Sequence, residues 1–194
     1  MVAIIDYNAG NVRSVLFAME RLGVDVILTD DHEKIRSADK VIFPGVGEAA
    51  STMNYLQERG LDQLIKSLQQ PVLGICLGMQ LMCQHSEEGD TPCLGIFSEQ
   101  VKRFESQDLK VPHMGWNSLI EKQGPLFSPL DENPYVYFVH SFYVAEGPDT
   151  IATADYGQKF SAALHRDNFY ATQFHPEKSG EVGAKILEQF LQVN

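Results

Sequence analysis

The sequence predicts an α/β protein of flavodoxin-like design: an open, mostly parallel sheet covered by helices on both faces, with antiparallel strands added in the second half. Three observations carry this. Short β-branched runs alternate with amphipathic segments through the first ninety residues. From about Cys93 the texture changes to closely spaced short strands separated by turn residues. Helical spacing then returns at the C-terminal end, from Ser179 to Leu191.

Taken in order, VAIID at 2–6 reads as a buried strand, followed by VRSVLFAMERL at 12–22 with Val12, Val15, Leu16, Met19 and Leu22 at helical spacing. Gly23 stops that helix, and VDVIL at 24–28 is the next strand. Asp30 with Glu33 three residues on has the form of a helix-start cap. KVIF at 40–43 and PVLGI at 71–75 complete the strands of the first half. Repeated strand, helix, strand order implies parallel strands joined by right-handed crossovers. The second half contributes LGIFSEQVKRF, WNSLIEK, YVYFVHSFYVA, IATADY, FSAALHR and NFYATQF, punctuated by Gly124-Pro125, Gly147-Pro148 and Asp167-Asn168. They are expected to join the same sheet. Val182, Ile186, Leu187 and Phe190 mark the apolar stripe of the final helix. No linker, repeat or low-complexity tract interrupts the chain, so residues 1–194 are read as one domain.

Composition narrows the function classes. Hydrophobic residues at 44% and charged residues at 21% suit a folded globular chain rather than a disordered one. A formal net charge of -11 works against binding to phosphate backbones and anionic lipid. No apolar stretch is long enough to span a bilayer, and MVAIIDYNAG enters a strand with no signal-like n-region, so a cytoplasmic protein is expected, with neither nucleic acid nor membrane as partner. Cys76, Cys83 and Cys93 form neither a CxxC pair nor a disulfide framework. No histidine–carboxylate spacing suggests a metal site, so neither metal nor cofactor is expected.

The most informative segment is PVLGICLGMQLMCQ, an apolar strand followed by Gly74-x-Cys76-x-Gly78 and a helix opening on Leu77. This is the cysteine form of a nucleophile elbow, in which flanking glycines permit a tight strand-to-helix turn. The helix N-terminus favours thiolate over thiol and aims backbone N–H groups at a developing oxyanion. The competing reading is a buried, inert thiol at a strand end. Cys83, seven residues on, and Cys93 read as core packing.

FYATQFHPEKS supplies the second half of the chemistry. An alternating strand runs into His175, whose ring is expected at the carboxyl end of the sheet, the edge where active sites collect. Glu177 is close enough to fix the imidazole tautomer across Pro176. Nucleophile, base and orienting carboxylate are then all present. Alone, His-Pro-Glu is equally consistent with a surface histidine. His32, His85 and His165 read as solvated, and His140 as either structural or pocket-lining.

The motifs PGVGE at 44–48, GICLGMQL at 74–81 and HPEKSG at 175–180, intact and in the same order, closely resemble those of the triad-type glutamine amidotransferases. The resemblance covers essentially the whole chain. With DYNAGN at 6–11 and PHMGWN at 112–117 it is nearest to the branch that serves imidazole glycerol phosphate synthesis. What it implies is an enzyme in which Cys76 attacks the side-chain amide of L-glutamine, His175 shuttles protons and Glu177 orients the histidine. Leu77 and the Val46–Gly47 loop would supply the oxyanion donors. Gly47, Gln80, Glu88, Ser141 and Phe142 would hold the amino-acid end, with Glu87 as the rival of Glu88. Ammonia would pass to a cyclase barrel, a separate subunit of a heterodimer, making imidazole glycerol phosphate and aminoimidazole carboxamide ribotide in histidine biosynthesis. Asn11, Trp116 and Lys178 match the docking face; their competing roles are a helix cap, a core aromatic and a solvated lysine. Glutaminases of other synthases, a γ-glutamyl hydrolase or cysteine protease, and a non-catalytic scaffold remain alternatives, disfavoured by the PGVG and PHMGWN segments and the intact triad.

Overall fold

A computed structural model describes residues 1–7, 12–105 and 109–193. Asn11 lies outside them. The chain begins β1 (Val2–Ile5), α1 (Val12–Arg21), β2 (Val26–Thr29), α2 (His32–Ser37), β3 (Lys40–Phe43), α3 (Ala49–Glu58), α4 (Leu61–Ser67), β4 (Val72–Ile75) and α5 (Leu77–Met82). It continues β5 (His85–Ser86), β6 (Thr91–Pro92), β7 (Gln100–Arg103), β8 (His113–Ser118), β9 (Tyr135–His140), β10 (Phe142–Val144), β11 (Thr150–Asp155), β12 (Lys159–Arg166), β13 (Phe169–Thr172) and α6 (Gly180–Gln192).

The large sheet runs β2-β1-β3-β4-β13-β12-β10-β7-β5-β6, with β11 paired to β12. Its first five strands are mutually parallel, in the flavodoxin order, with β13 in the fifth position. From β13 onward the pairings to β12, β10 and β7 are antiparallel. Parallel strands need both faces covered, and alternation along them shows how. Ala3, Ile5, Val41 and Phe43 pack with Ile35, Leu56 and Leu64 from α2, α3 and α4. Val2, Ile4, Ile42 and Leu73 pack with Val15 and Met19 of α1 and Ile186, Leu187 and Phe190 of α6. Each of those large apolar side chains contributes on the order of 1.5–3 kcal/mol when fully buried.

Several local expectations need correction. The cap of α2 is Asp31, which accepts N–H bonds from Glu33 at 2.9 Å and Lys34 at 3.3 Å. Asp30 instead pairs with Arg59 at 3.3 Å. Cys83, the C-cap of α5, is buried in the core and half-buried Cys93 packs against it, so the core-packing reading of both holds. His85 lies in β5 and pairs with Asp90 at 2.9 Å, while His165 lies in β12 and stacks on Tyr170.

Not all of the second-half strands join the large sheet. The run 135–145 breaks at Ser141: β10 enters the large sheet, whereas β9 pairs with β8 in a separate two-stranded antiparallel sheet. A backbone bridge between Ile120 and Thr153 ties the small sheet to β11. The small sheet obeys the same period of two. Val136, Phe138, His140 and His113 turn inward, and Met114, Trp116 and Tyr135 turn out to solvent.

Candidate active site

Cys76 joins β4 to α5 at φ 55 and ψ -107, a conformation that L-residues rarely hold and that persists only where surrounding structure fixes it. Its N–H bonds to the Thr172 carbonyl at 2.7 Å, and its own carbonyl accepts from Gln80 N–H at 3.1 Å. The strain falls on Cys76 itself, as a nucleophile elbow requires, but the residue is buried rather than exposed, and Gly74 and Gly78 serve close approach. A Cβ on Gly78 would lie 2.0 Å from the Phe43 carbonyl oxygen, and one on Gly45 would lie 2.4 Å from Gly78 N. The PGVG loop therefore sits directly against the start of α5.

His175 and Glu177 arrive from β13, which runs beside β4. His175 Nδ1 donates to Glu177 Oε1 at 2.8 Å, and both side chains are almost fully buried. Ser179 locks the turn that follows: its hydroxyl donates to the His175 carbonyl at 2.6 Å and accepts from Tyr137 N–H at 2.9 Å. His175 Nε2 has no hydrogen-bond partner of ordinary geometry among the described residues. Burial pulls the imidazolium down, but the adjacent Cys76 sulfur and the Glu177 carboxylate outweigh it and carry the ring up to about 10. A folded-state value above the ordinary 6.5 contributes stability that is complete below 6.5 and lost as pH rises through about 10. Removing the sulfur in Cys76→Ala should therefore lower the His175 titration midpoint and bring its alkaline stability loss to lower pH. Imidazole NMR titration and melts against pH read both; an unmoved midpoint would contradict the contact.

A cavity of about 310 Å³ opens over the sulfur, lined by Gly45, Val46, Gly47, Cys76, Leu77, Gln80, Glu88, Pro112, Val139, His140, Ser141, Phe142 and His175. That volume is at the small end of the ~300–1,000 Å³ range of small-molecule sites. Every residue expected to hold substrate or oxyanion lies on this wall. Glu88 lines the cavity and accepts from Ala49 N–H at 2.9 Å, whereas Glu87 accepts from Arg103 N–H at 2.7 Å and is not part of the wall. Burial raises the Glu88 carboxyl, partly offset by that bond at the N-terminus of α3. The Gln80 amide nitrogen is committed to the Phe142 carbonyl at 2.8 Å and Gln173 Oε1 at 3.0 Å.

Trp116 and Lys178 lie away from the cavity wall. Trp116 is 56% exposed on the outer face of the small sheet, beside Met114 at 63% and Tyr135 at 59%, so the core reading of this tryptophan fails. Its ring reaches 4.0 Å from the Cβ position of Gly180, two residues after exposed Lys178 in the chain. Sequence reading overlooked Gln173, whose Nε2 donates to Cys76 Sγ at 3.7 Å, and Val139, whose carbonyl the thiol approaches at 3.8 Å. Gln173 had a legible signal: it precedes His175 by two, the extended spacing that sends both side chains to one face. Tyr7 was also overlooked; it donates to the Pro44 carbonyl, and burial together with the nearby Cys76 sulfur pushes its phenol up. Among the described residues no group of three His, Cys, Asp or Glu side chains is placed to hold a metal ion.

A cysteine at a strand-to-helix corner, beside an imidazole bound to a buried glutamate on a flavodoxin-like sheet, is the arrangement that thiol-based acyl transfer calls for. The model of the glutamine amidotransferase class-I family matches residues 3–193, and the chain belongs to that family. Within it, the chain is 60% identical to the "Imidazole glycerol phosphate synthase subunit HisH" of Bacteroides thetaiotaomicron, over 99% of each chain. It is 49% identical to the HisH subunit of Idiomarina loihiensis, over 99% of this chain and 97% of that one. Two solved structures share the fold: a glutamine amidotransferase with TM-score 0.76 at 18% identity, covering 99% and 98% of the two chains, and a Thermotoga maritima glutamine amidotransferase with TM-score 0.65 at 15% identity, covering 98% and 82%.

Proposed function

We propose that the chain, as a single domain, is the glutaminase subunit of imidazole glycerol phosphate synthase, releasing ammonia from L-glutamine through a thioester on Cys76. The observation that carries this is the Cys76–His175–Glu177 constellation at the floor of a cavity whose wall holds an acidic residue, Glu88. The Cys76 sulfur attacks the amide carbon, and the C–N bond breaks as His175 gives its proton to the departing ammonia. Water, deprotonated by His175, then attacks the thioester; the C–S bond breaks, glutamate leaves and the sulfur is restored. Glu177 holds the imidazole in one orientation throughout. In each half the tetrahedral oxyanion would be met by Leu77 N–H and the Val46–Gly47 loop. Glu88 is suited to the substrate ammonium, and Gly47, Gln80 and the Ser141–Phe142 backbone to the rest of its amino-acid end.

The exposed Met114, Trp116 and Tyr135 face, flanked by Lys178, suits a protein partner, since large aromatic anchors dominate such interfaces. Its proposed occupant is the cyclase barrel, in a one-to-one heterodimer that receives the ammonia and makes imidazole glycerol phosphate and aminoimidazole carboxamide ribotide in histidine biosynthesis. Asn11 belongs to the same proposal. The acidic balance of the chain, -11, supports a reading without nucleic acid, and no helix among the described residues is long and apolar enough to cross a membrane; a cytoplasmic location fits both. The test is mass spectrometry after treatment with a glutamine-like chloroketone. One adduct, on Cys76 and lost in Cys76→Ser, is the expected result; labelling that ignores Cys76 would refute the chemistry.

A further inference from the structure

At the cavity wall, which His140 lines, two buried histidines meet across the small sheet. His113 on β8 and His140 on β9 are register partners, with His113 Nδ1 and His140 Nε2 3.0 Å apart. His140 Nδ1 lies 2.7 Å from the Phe142 carbonyl oxygen, which only accepts, so that nitrogen carries the proton. Burial pulls His140 down to about 3 and His113 to about 4, so both rings are neutral across the working range. In a neutral ring whose Nδ1 is protonated, Nε2 must accept. His113 Nδ1 is therefore the donor, and His113 Nε2 in turn faces Asn117 Nδ2 at 3.5 Å. Hydrogen bonds thus run in one direction, from Asn117 through His113 and His140 to the Phe142 carbonyl. Packing leaves the rings no alternative. His113 is stacked between Phe138 at 4.9 Å and Tyr156 at 4.0 Å, and His140 sits among Phe104, Phe138 and Phe160.

The far end of this chain is the cavity. The Phe142 carbonyl takes a second bond from Gln80 Nε2 at 2.8 Å; Gln80 reaches Gln173 Oε1, and Gln173 reaches the Cys76 sulfur. With both lone pairs used, what residue 142 offers a ligand is a fixed position. The geometry points to His113 as a positioning residue for glutamine binding: through His140 it fixes the Ser141–Phe142 wall while touching neither substrate nor sulfur. This rests on the glutamine-site reading above. It also links the wall to β8, whose opposite face bears Met114 and Trp116.

The test uses the full chain bound to its cyclase subunit, in a Cys76→Ala background that binds glutamine without turning it over. Calorimetry should show L-glutamine bound about tenfold more weakly when His113→Phe keeps the stacked ring but removes the hydrogen bonds to His140 and from Asn117. His113→Gln, which can return an N–H to His140 Nε2, should restore most of the affinity. In the Cys76-intact complex the same variants should raise KM for glutamine and leave kcat within about twofold. Equal weakening by Phe and Gln, or no weakening by either, would overturn the positioning role alone. A Cys76→Ala parent that binds no glutamine would overturn the glutamine-site reading and this role with it. Should His113→Phe fail to fold, imidazole ¹⁵N shifts of the unaltered protein decide instead: both rings protonated on Nδ1 is the expected pattern, and a proton on His140 Nε2 refutes the role.

Discussion

Replacing Cys76 with alanine is expected to lower kcat for glutamine hydrolysis by about 10⁴-fold or more, because no other group at the floor of the cavity can form the acyl intermediate. The fold should survive. Only a sulfur is removed, from a residue 7% exposed, while Cβ, the Thr172 bond and the corner geometry stay in place. The melting temperature of Cys76→Ala should therefore shift little, by the equivalent of roughly 1 kcal/mol. Cys76→Gly separates chemistry from strain. At φ 55 and ψ -107 a glycine loses the steric penalty of the side chain, so this variant should be as inactive and about 1 kcal/mol more stable than Cys76→Ala. Glutamate release in the assembled synthase reads the first effect and thermal unfolding the second. Substantial turnover by either variant would remove Cys76 from the mechanism.

Gly78→Ala is expected to have a large effect on the fold as well as on the site. The added Cβ would lie 2.0 Å from the Phe43 carbonyl oxygen and 3.1 Å from its carbon, with backbone rather than a yielding side chain in the way. Either α5 or the end of β3 must move, at a cost of about 3 kcal/mol or more. The displacement goes where precision matters most, since β3 leads straight into Pro44–Gly47 and α5 begins at Leu77. A shift of about 1 Å between these segments costs on the order of 10²-fold in rate even in molecules that remain folded. Gly23→Ala is the control. Its φ of 73 makes alanine strained, but no atom lies within 4 Å, so a loss of about 1 kcal/mol with unchanged kinetics is expected. Chemical denaturation and steady-state kinetics on both variants give the comparison, and equal losses would show that close approach at Gly78 is unimportant.

Much of the site was legible because its signals are local. Gly-x-Cys-x-Gly after an apolar strand specifies a corner whatever lies elsewhere in the chain, and His175 with Glu177 needs only three consecutive residues to make its hydrogen bond. The parallel half of the sheet was equally readable, since period-two burial on both faces leaves continuous apolar runs such as KVIF. What sequence could not supply was pairing at a distance. YVYFVHSFYVA reads as one strand, and nothing in it says that the chain changes sheets at Ser141. The choice between Asp30 and Asp31 as cap turns on a one-residue difference in where α2 begins. His140 was readable as structural or pocket-lining and it is both, but its pairing with His113 was not, because the two face one another across strands from positions 27 apart. Gln173 was passed over because the triad already accounted for its neighbourhood.

The seam at β13 divides labour in a way that bears on how such a molecule diversifies. Cys76 and the Pro44–Gly47 loop follow parallel strands to one side of it, while β10 and the small sheet, on the other, line the cavity and carry the exposed Met114 and Trp116. The Cys76 corner and the exposed outer face thus lie on separate stretches of chain, β4–α5 and β8–β9. Substitutions on that outer face can therefore change what docks there while leaving the Cys76 corner undisturbed.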